Sequence, residues 1–453
     1  MTSGARPAGR LGVMAWAIAA TSLGFVALSP IRARAVPAFA VQTGRPCEAC
    51  HVGGFGPQLT PFGREFKLRG YTLRSNTFNI PVSAMAVTSY VRTAKDNPGP
   101  VARHYASNDN VTLDQASLFL AGGVGTHLGG FVQATYDGVH RNFHWDNLDL
   151  RAVTTATVGG VNVVLGASFS NAPTTQDAFN TLAAWGYPYT SSGLAPTPAA
   201  GPLIGGLAQT TLGLTSYAWI NSEIYLEAGG YQSPGARFLT QAGVDAFNPG
   251  AIRGTAPYAR IAWQKSFGQS NVEVGAYGLW ASLDPGRDET TGLSDSYADT
   301  GVDASVQLFP KNKDVITVNA RYTHEDQRLN ASQALGLAQS RRDRLDEVRA
   351  DVSYYWRNQV GLTVGAFDTW GSTDSLLYAG NRTFTPDSSG LLFQLDGTPW
   401  GAGGSPLGPR FNLRVGMQYT LYTQFDGARS NFDNLRRNAS DNDTFRLFTW
   451  IAY

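Results

Sequence analysis

From about residue 82 to the last residue, Tyr453, the chain is written in short segments whose side chains alternate between apolar and polar. Successive side chains of a strand point to opposite faces, so a period of two separates one face from the other. Over residues 315–323, Ile316, Val318, Ala320 and Tyr322 alternate with Thr317, Asn319, Arg321 and Thr323. Over residues 347–357, Val348, Ala350, Val352, Tyr354 and Trp356 stand between Glu347, Arg349, Asp351, Ser353 and Arg357. A soluble sandwich rarely charges one strand face so heavily and closes the other with aromatics. An outer-membrane barrel does, because its lipid face is apolar and its lumen polar. With 51 Gly, 19 Tyr, 10 Trp and 23 Phe, the composition also suits an aromatic, turn-rich all-β protein.

About sixteen strands are expected, beginning near residues 82, 111, 127, 146, 161, 211, 221, 257, 271, 297, 314, 345, 360, 389, 411 and 443. The gaps between them test this reading independently. After odd-numbered strands they are long, as at 171–210, 233–256 and 424–442, and after even-numbered ones mostly short, as at Val158-Gly159-Gly160 and Asn358-Gln359. Long outer loops alternating with short periplasmic turns are how such barrels are built. One stretch, 397–410, is long where a short turn is expected. The last strand, Phe445 to Tyr453, is aromatic and stops on tyrosine, which resembles the assembly signal of bacterial outer-membrane proteins.

The first 35 residues read as an export signal. Arg6 and Arg10 precede an apolar run from Leu11 to Leu28, followed by the small-residue site Ala33-Arg34-Ala35. An uncleaved anchor is the alternative, since the run approaches spanning length. The formal net charge of +1 argues against nucleic acid as a partner, which would demand a concentrated positive surface.

Cys47-Glu48-Ala49-Cys50-His51 holds the only two cysteines of the 453 residues. Two thiols three residues apart can add across the two haem vinyl groups, and the histidine that follows can bind the iron. A disulfide or a zinc site would also use both cysteines of an exported protein. Neither explains why a histidine follows Cys50 at once, and the next histidine is His104. One covalent haem c, held by Cys47, Cys50 and His51, is therefore expected. The expected organisation is a signal peptide over 1–35, a monohaem cytochrome c segment over 36–80 and a porin-like barrel over 81–453.

Some 45 residues between cleavage site and first strand are too few to bury a haem alone. The barrel wall should complete the pocket, with the segment as a plug in the lumen or at its periplasmic mouth. Within it Thr60 suits an N-cap, Pro61 the first helical position and Gly70 the stop, which predicts a helix over about 61–69. Phe62 and Phe66 fall on one side, where they can pack on the haem. Arg64, Lys67 and Arg69 can meet propionates or acidic lumen groups, or simply be solvated.

The sixth iron ligand sets much of a haem's potential. Met417 is in phase with apolar neighbours and should face lipid, whereas the phase of Met85 cannot be read. His127 shares a face with Gln133 and Thr135 and should point into the lumen near the plug. His127 is preferred over Met85, an open or water-bound site stands beside them, and an ordinary polar lumen residue is the plainer reading of His127.

With residues 37–71 in view, the chain resembles the fused cytochrome-porins of bacterial outer membranes, whose best-known members are the single-haem iron oxidases of Fe(II)-oxidising bacteria. The stretch that carries this is Pro37-Ala38-Phe39-Ala40, Thr43-Gly44, Cys47 to His51, Leu59 to Lys67 and Gly70-Tyr71, with Trp145 to Asp149, Asn171 to Asp177 and Trp185 to Pro188 further along. Members often have Asn where this chain has Thr60. The resemblance implies thioethers at Cys47 and Cys50, axial ligation by His51, electrons entering from the cell surface and electrons leaving to periplasmic cytochromes.

Donor binding could use Asp137, His140, His144, Asp146 and Asp149, close in sequence, although solvated loop polarity explains them more simply. Two functions follow as expectations. One is an outer-membrane protein passing electrons from extracellular Fe(II) or another reductant, a possible Fe(II):cytochrome c oxidoreductase. The other is a porin-like channel or redox sensor with a haem plug.

Overall fold

The computed structural model describes residues 38–74, 81–310, 313–408 and 411–453. The expected leader and its cleavage site lie outside the described residues. Strands run as β1 (Val82–Thr93), β2 (Asn110–Val124), β3 (Leu128–Asp137), β4 (Asn142–Val158), β5 (Val161–Ser170), β6 (Leu212–Ile220), β7 (Ile224–Gln232), β8 (Gly250–Ile252), β9 (Ala256–Phe267), β10 (Ser270–Pro285), β11 (Asp295–Leu308), β12 (Val315–Arg328), β13 (Arg342–Trp356), β14 (Val360–Gly371), β15 (Ser388–Gly397), β16 (Asn412–Gln424) and β17 (Thr444–Ala452). All belong to one antiparallel sheet that closes on itself, because β1 pairs with β2 on one side and with β17 on the other. β8 is a short piece that pairs only with the end of β10, which leaves sixteen strands to run the wall.

Alternation sets the two faces as the sequence requires. On β12 the inward Thr317, Asn319, Arg321 and Thr323 are buried, while Val318 and Tyr322 lie exposed on the outer face. On β13 the inward Glu347, Asp351 and Ser353 are buried, and Val348, Val352, Tyr354 and Trp356 are exposed. Met417, expected on the outer face, is exposed there. Closure pairs each of the sixteen wall strands on both sides, which is what permits an exposed apolar belt.

One end of the barrel carries the tight turns. Gly159 and Gly160, between β4 and β5, both have positive φ, as a two-residue hairpin matching strand twist needs. At the other end lie the long connections, including 94–109, 171–211 and 425–443. The described stretch 398–408 lies at the turn end despite its length. Large inward aromatics lie flat over glycines of the neighbouring strand: a Cβ on Gly166 would come within 2.2 Å of the Tyr217 ring, and one on Gly361 within 2.1 Å of Tyr355.

Two insertions fill much of the lumen. From the turn end comes the N-terminal segment, with helix α1 (Ala38–Thr43) and helix α2 (Pro61–Leu68). From the loop end the 171–211 connection turns inward, and every residue from 171 to 182 is buried. Apolar contacts form where the insertions meet the wall. Leu68 and Phe179 pack with Tyr217, Trp219 and Tyr225, and Leu182, Leu203 and Leu207 pack with Tyr231, Tyr258 and Leu279.

Candidate haem-binding turn in the lumen

α2 forms where its sequence signals place it. The Thr60 hydroxyl accepts from the Gly63 amide at 3.2 Å, Pro61 occupies the first turn, and the helix ends at Leu68 with Arg69 as its cap. Thr60 also donates to the Ala49 carbonyl at 2.6 Å, so the cap ties the helix to the preceding cysteine turn. Gly63 lies against that turn: a Cβ there would sit 2.3 Å from the Cys50 carbonyl oxygen. Cys47–Ala49 is a 3₁₀ turn, with the Cys50 and His51 amides donating to the Cys47 carbonyl at 3.0 and 2.9 Å.

The wall holds this turn from several sides. The Gly53 amide donates to Asn358 Oδ1 at 2.6 Å, and Asn358 Nδ2 donates to the His51 carbonyl at 3.2 Å, from the turn between β13 and β14. Arg414 Nη2 and Asn412 Nδ2, both on β16, donate to the carbonyls of Gly53 and Gly54, each at 3.2 Å. The Glu48 amide donates to the Gly401 carbonyl at 3.1 Å, and Lys313 Nζ reaches Glu48 Oε1 at 2.9 Å. Gly401, in the unexpectedly long stretch after β15, thus covers the cysteine turn. Gly54 has positive φ, and a Cβ on it would approach Gly401 Cα to 2.9 Å, so two backbones touch there.

The inward loop holds the segment from above. Asn180 accepts from the Leu59 amide at 2.6 Å and donates to the Pro57 carbonyl at 3.0 Å. Lys67 Nζ donates to the carbonyls of Thr175 and Asp177 at 2.7 and 2.8 Å and lies 3.9 Å from Asp149. Tyr71 donates to Asp149 Oδ2 at 2.6 Å, and Tyr217 donates to the Leu68 carbonyl at 2.7 Å. Of the three expected cationic anchors, buried Arg64 donates to Asn271 at 2.6 Å and Lys67 binds the loop, whereas Arg69 pairs with Glu65. Phe66 does not share a partner with Phe62. Phe66 packs edge-on against Phe39 and Tyr71, while Arg45 stacks on Phe62 at 4.5 Å.

Cys47 and Cys50 are free thiols, and His51 Nδ1 is buried with no hydrogen-bond partner. Burial, and then the nearby Arg414 cation, push the His51 pKa down to about 4, and burial pushes the Cys50 thiol up to about 12. The imidazole is therefore neutral, the form that ligates iron. Two thiols and an imidazole whose buried Nδ1 has no hydrogen-bond partner, in a single wall-braced turn, fit the donor set of a covalent haem c. Among the described residues no group of three or more His, Cys, Asp and Glu gathers as a metal cluster, so a zinc site has no further ligands there.

The two candidates for the sixth position separate. His127, expected to point into the lumen, sits exposed in the turn between β2 and β3, with Nδ1 2.9 Å from the Val153 carbonyl of β4. The strand begins one residue later, at Leu128, so His127 escapes the alternation that turns Gln133 and Thr135 inward. It belongs to the β2–β4 sector, while the cysteine turn hangs on β13–β16. Met85 does face inward. It packs beside Phe55, Val87, Phe448 and Trp450, and Trp450 Nε1 points at its sulfur at 3.3 Å. The expected loop donors scatter, and His144, Asp146 and Asp149 lie on β4 instead of in a loop: Asp137 pairs with His140 at 2.6 Å, Asp146 accepts from Gln133 and Thr135, and Asp149 is buried against Arg151 and Tyr71.

Sequence reasoning did not find the space beside the inward loop. A cavity of about 770 Å³ lies between residues 180–206 and the β12–β17 wall, with Tyr187, Asp351, Gln418 and Arg446 among its lining. A polar chain leads from it to the cysteine turn. Gln418 donates to Gln394 at 2.7 Å, Gln394 donates to Asp396 at 2.7 Å, Arg414 pairs with Asp396 at 3.1 Å, and Arg414 reaches the Gly53 carbonyl.

Fold and site together define a closed antiparallel barrel whose lumen holds a cysteine-histidine turn. No protein-family model matches the chain, and no curated protein matches it. Among solved structures it is similar to outer-membrane expressed OmpT of Vibrio cholerae, at 11% identity over 84% of this chain and 100% of that one, with a TM-score of 0.42. It is also similar to OprB of Pseudomonas putida, at 12% identity over 82% and 94%, with a TM-score of 0.47. A third is an anion-selective porin from Comamonas acidovorans, at 10% identity over 82% and 98%, with a TM-score of 0.42.

Proposed function

We propose that this protein is an outer-membrane barrel carrying one covalent haem c in its lumen, and that it passes electrons from an extracellular reductant, with Fe(II) the first candidate, to periplasmic cytochromes. The observation that carries the reading is the placing of Cys47, Cys50 and His51 inside the wall, braced by the 313, 358 and 401 turns and by the inward loop. An apolar belt around a closed sheet supports a lipid surround. When bound, the haem supplies a one-electron couple.

This chain's residues supply position and insulation. Asn358, Asn412 and Arg414 fix the turn, and Thr60 fixes the helix behind it. Loop residues 171–182 cover the segment, and the cavity beside Tyr187 gives a small donor a place joined to the turn by the Gln418–Gln394–Asp396–Arg414 chain. An electron donor outside and an acceptor in the periplasm are then separated by a lumen and not by the whole hydrocarbon layer of about 25 Å.

The test is to purify the protein and follow its visible spectrum during anaerobic addition of Fe(II). Rapid reduction of a covalently bound haem is expected. A haem that reduces with dithionite and ignores Fe(II) would exclude that donor, and the absence of haem bands would remove the reading altogether.

The barrel and its 770 Å³ cavity favour a second reading, a porin-like channel or sensor in which the haem segment is the plug. Its signature would be a steady ion conductance in planar bilayers that changes with haem oxidation state.

A further inference from the structure

Arg414 is 2% exposed and lies against the cysteine turn. Its Nη2 donates to the Gly53 carbonyl, two residues after His51, and a Cβ on Gly53 or Gly56 would come within 2.2 and 2.8 Å of its guanidinium. On its far side it meets Asp396, 3% exposed, at 3.1 Å. Asp396 Oδ1 also accepts from Gln394 at 2.7 Å and from Tyr355 at 3.2 Å. The pair is therefore an oriented dipole, with the cation toward the turn and the anion toward the cavity.

We propose that the Arg414–Asp396 pair sets the reduction potential of the haem on this turn, Arg414 favouring the ferrous state and Asp396 opposing it. The inference rests on the covalent-haem reading above. Reduction lowers the net charge at the iron by one, so a buried cation nearby stabilises the reduced form and a buried anion the oxidised one. Low dielectric and exclusion of salt keep such effects large in an interior. Both groups are positioning residues, since neither is offered as an iron ligand.

The experiment is spectroelectrochemical titration of the full-length protein purified from membranes, comparing the parent with Arg414→Lys, Arg414→Gln and Asp396→Asn. Arg414→Gln should shift the Fe(III)/Fe(II) equilibrium at least tenfold toward ferric, a fall of about 59 mV for a one-electron couple. Asp396→Asn should shift it at least tenfold the other way, and Arg414→Lys should stay close to the parent. Opposite signs are the discriminating result, because a purely structural pair would lose haem in both variants or move the potential in one direction. Haem-loaded variants with unmoved potentials, or with both potentials falling, would overturn the inference and leave the haem reading standing. A parent without covalent haem would overturn the reading beneath it. Should Arg414→Gln fail to assemble, Asp396→Asn still decides the sign, with Arg414→Lys as the charge-conserving control.

Discussion

At the scale of single residues, the cysteine turn depends on contacts that leave no spare volume. Gly63 is helical, so a side chain there meets no backbone strain, but its Cβ would sit 2.3 Å from the Cys50 carbonyl oxygen, and a backbone atom cannot swing aside. Gly63→Ala should therefore push α2 off the turn at a cost of about 1–3 kcal/mol. In hydrogen-exchange mass spectrometry, peptides covering 47–70 should exchange faster by about tenfold or more while barrel strands keep their protection. Unchanged exchange would mean that the helix and the turn do not touch. Cys50→Ser tests the chemistry itself. It leaves the Cys47 thioether as the single attachment, so haem should stay with the chain in denaturing electrophoresis while its visible bands move to longer wavelength with one vinyl group left conjugated, whereas a disulfide role predicts no haem in either protein. His127, by contrast, should tolerate His127→Ala with an unaltered haem spectrum, because its ring bonds the Val153 carbonyl at the rim.

At the scale of elements, the strands and the lumen course of the N-terminal segment were legible, and the inward course of the 171–211 loop was not. Period-two alternation reports directly on which face is buried, so the expected starts near 82, 161, 360 and 389 fall within a residue of β1, β5, β14 and β15. α2 was legible for the same local reason, since Thr60, Pro61 and Gly70 carry capping chemistry on their own. His127 was misplaced because alternation ends one residue inside the turn. The inward course of residues 171–182 depends on partners far away in the chain, Lys67, Arg260 and Asn180's hold on Leu59 among them. Small polar residues such as Thr174, Thr175 and Gln176 would suit a solvated loop equally well, so nothing local announces their burial. The polar chain from Gln418 to Arg414 is hidden likewise, because it steps back and forth between β15 and β16. The latch between insertions is testable as an element. Lys67→Met removes two bonds to the loop; Asp149 keeps Arg151 and the Thr175 carbonyl keeps Trp185, so the loss is about 1–3 kcal/mol for the orphaned Asp177 carbonyl. Limited trypsin digestion should then cut at Arg69 or Arg74 well before it does in the parent, with the barrel resisting in both.

At the scale of the whole molecule, a sixteen-stranded wall encloses enough width for an aqueous channel unless something fills it. Here two insertions enter from opposite ends and join through Lys67 and Asn180, which makes the lumen's resistance a property of the pair. The remaining space, about 770 Å³ beside β12–β17, ends at Tyr187 and the Gln418–Gln394–Asp396 chain above the cysteine turn. The parent should accordingly conduct weakly in planar bilayers. Replacing residues 172–182 by a short Gly-Ser linker removes the fully buried part of the upper insertion but no strand, and long connections at barrel ends bear such changes well. Conductance should rise severalfold, and the variant should still run as a folded barrel in unheated detergent gels. An open-channel conductance already present in the parent would mean that the insertions leave the lumen in the membrane, and the plug would then be a gate. A variant that folds yet conducts no better would place the resistance in the N-terminal segment alone, so that the haem-bearing turn and its Arg414 and Asn358 contacts would be the seal.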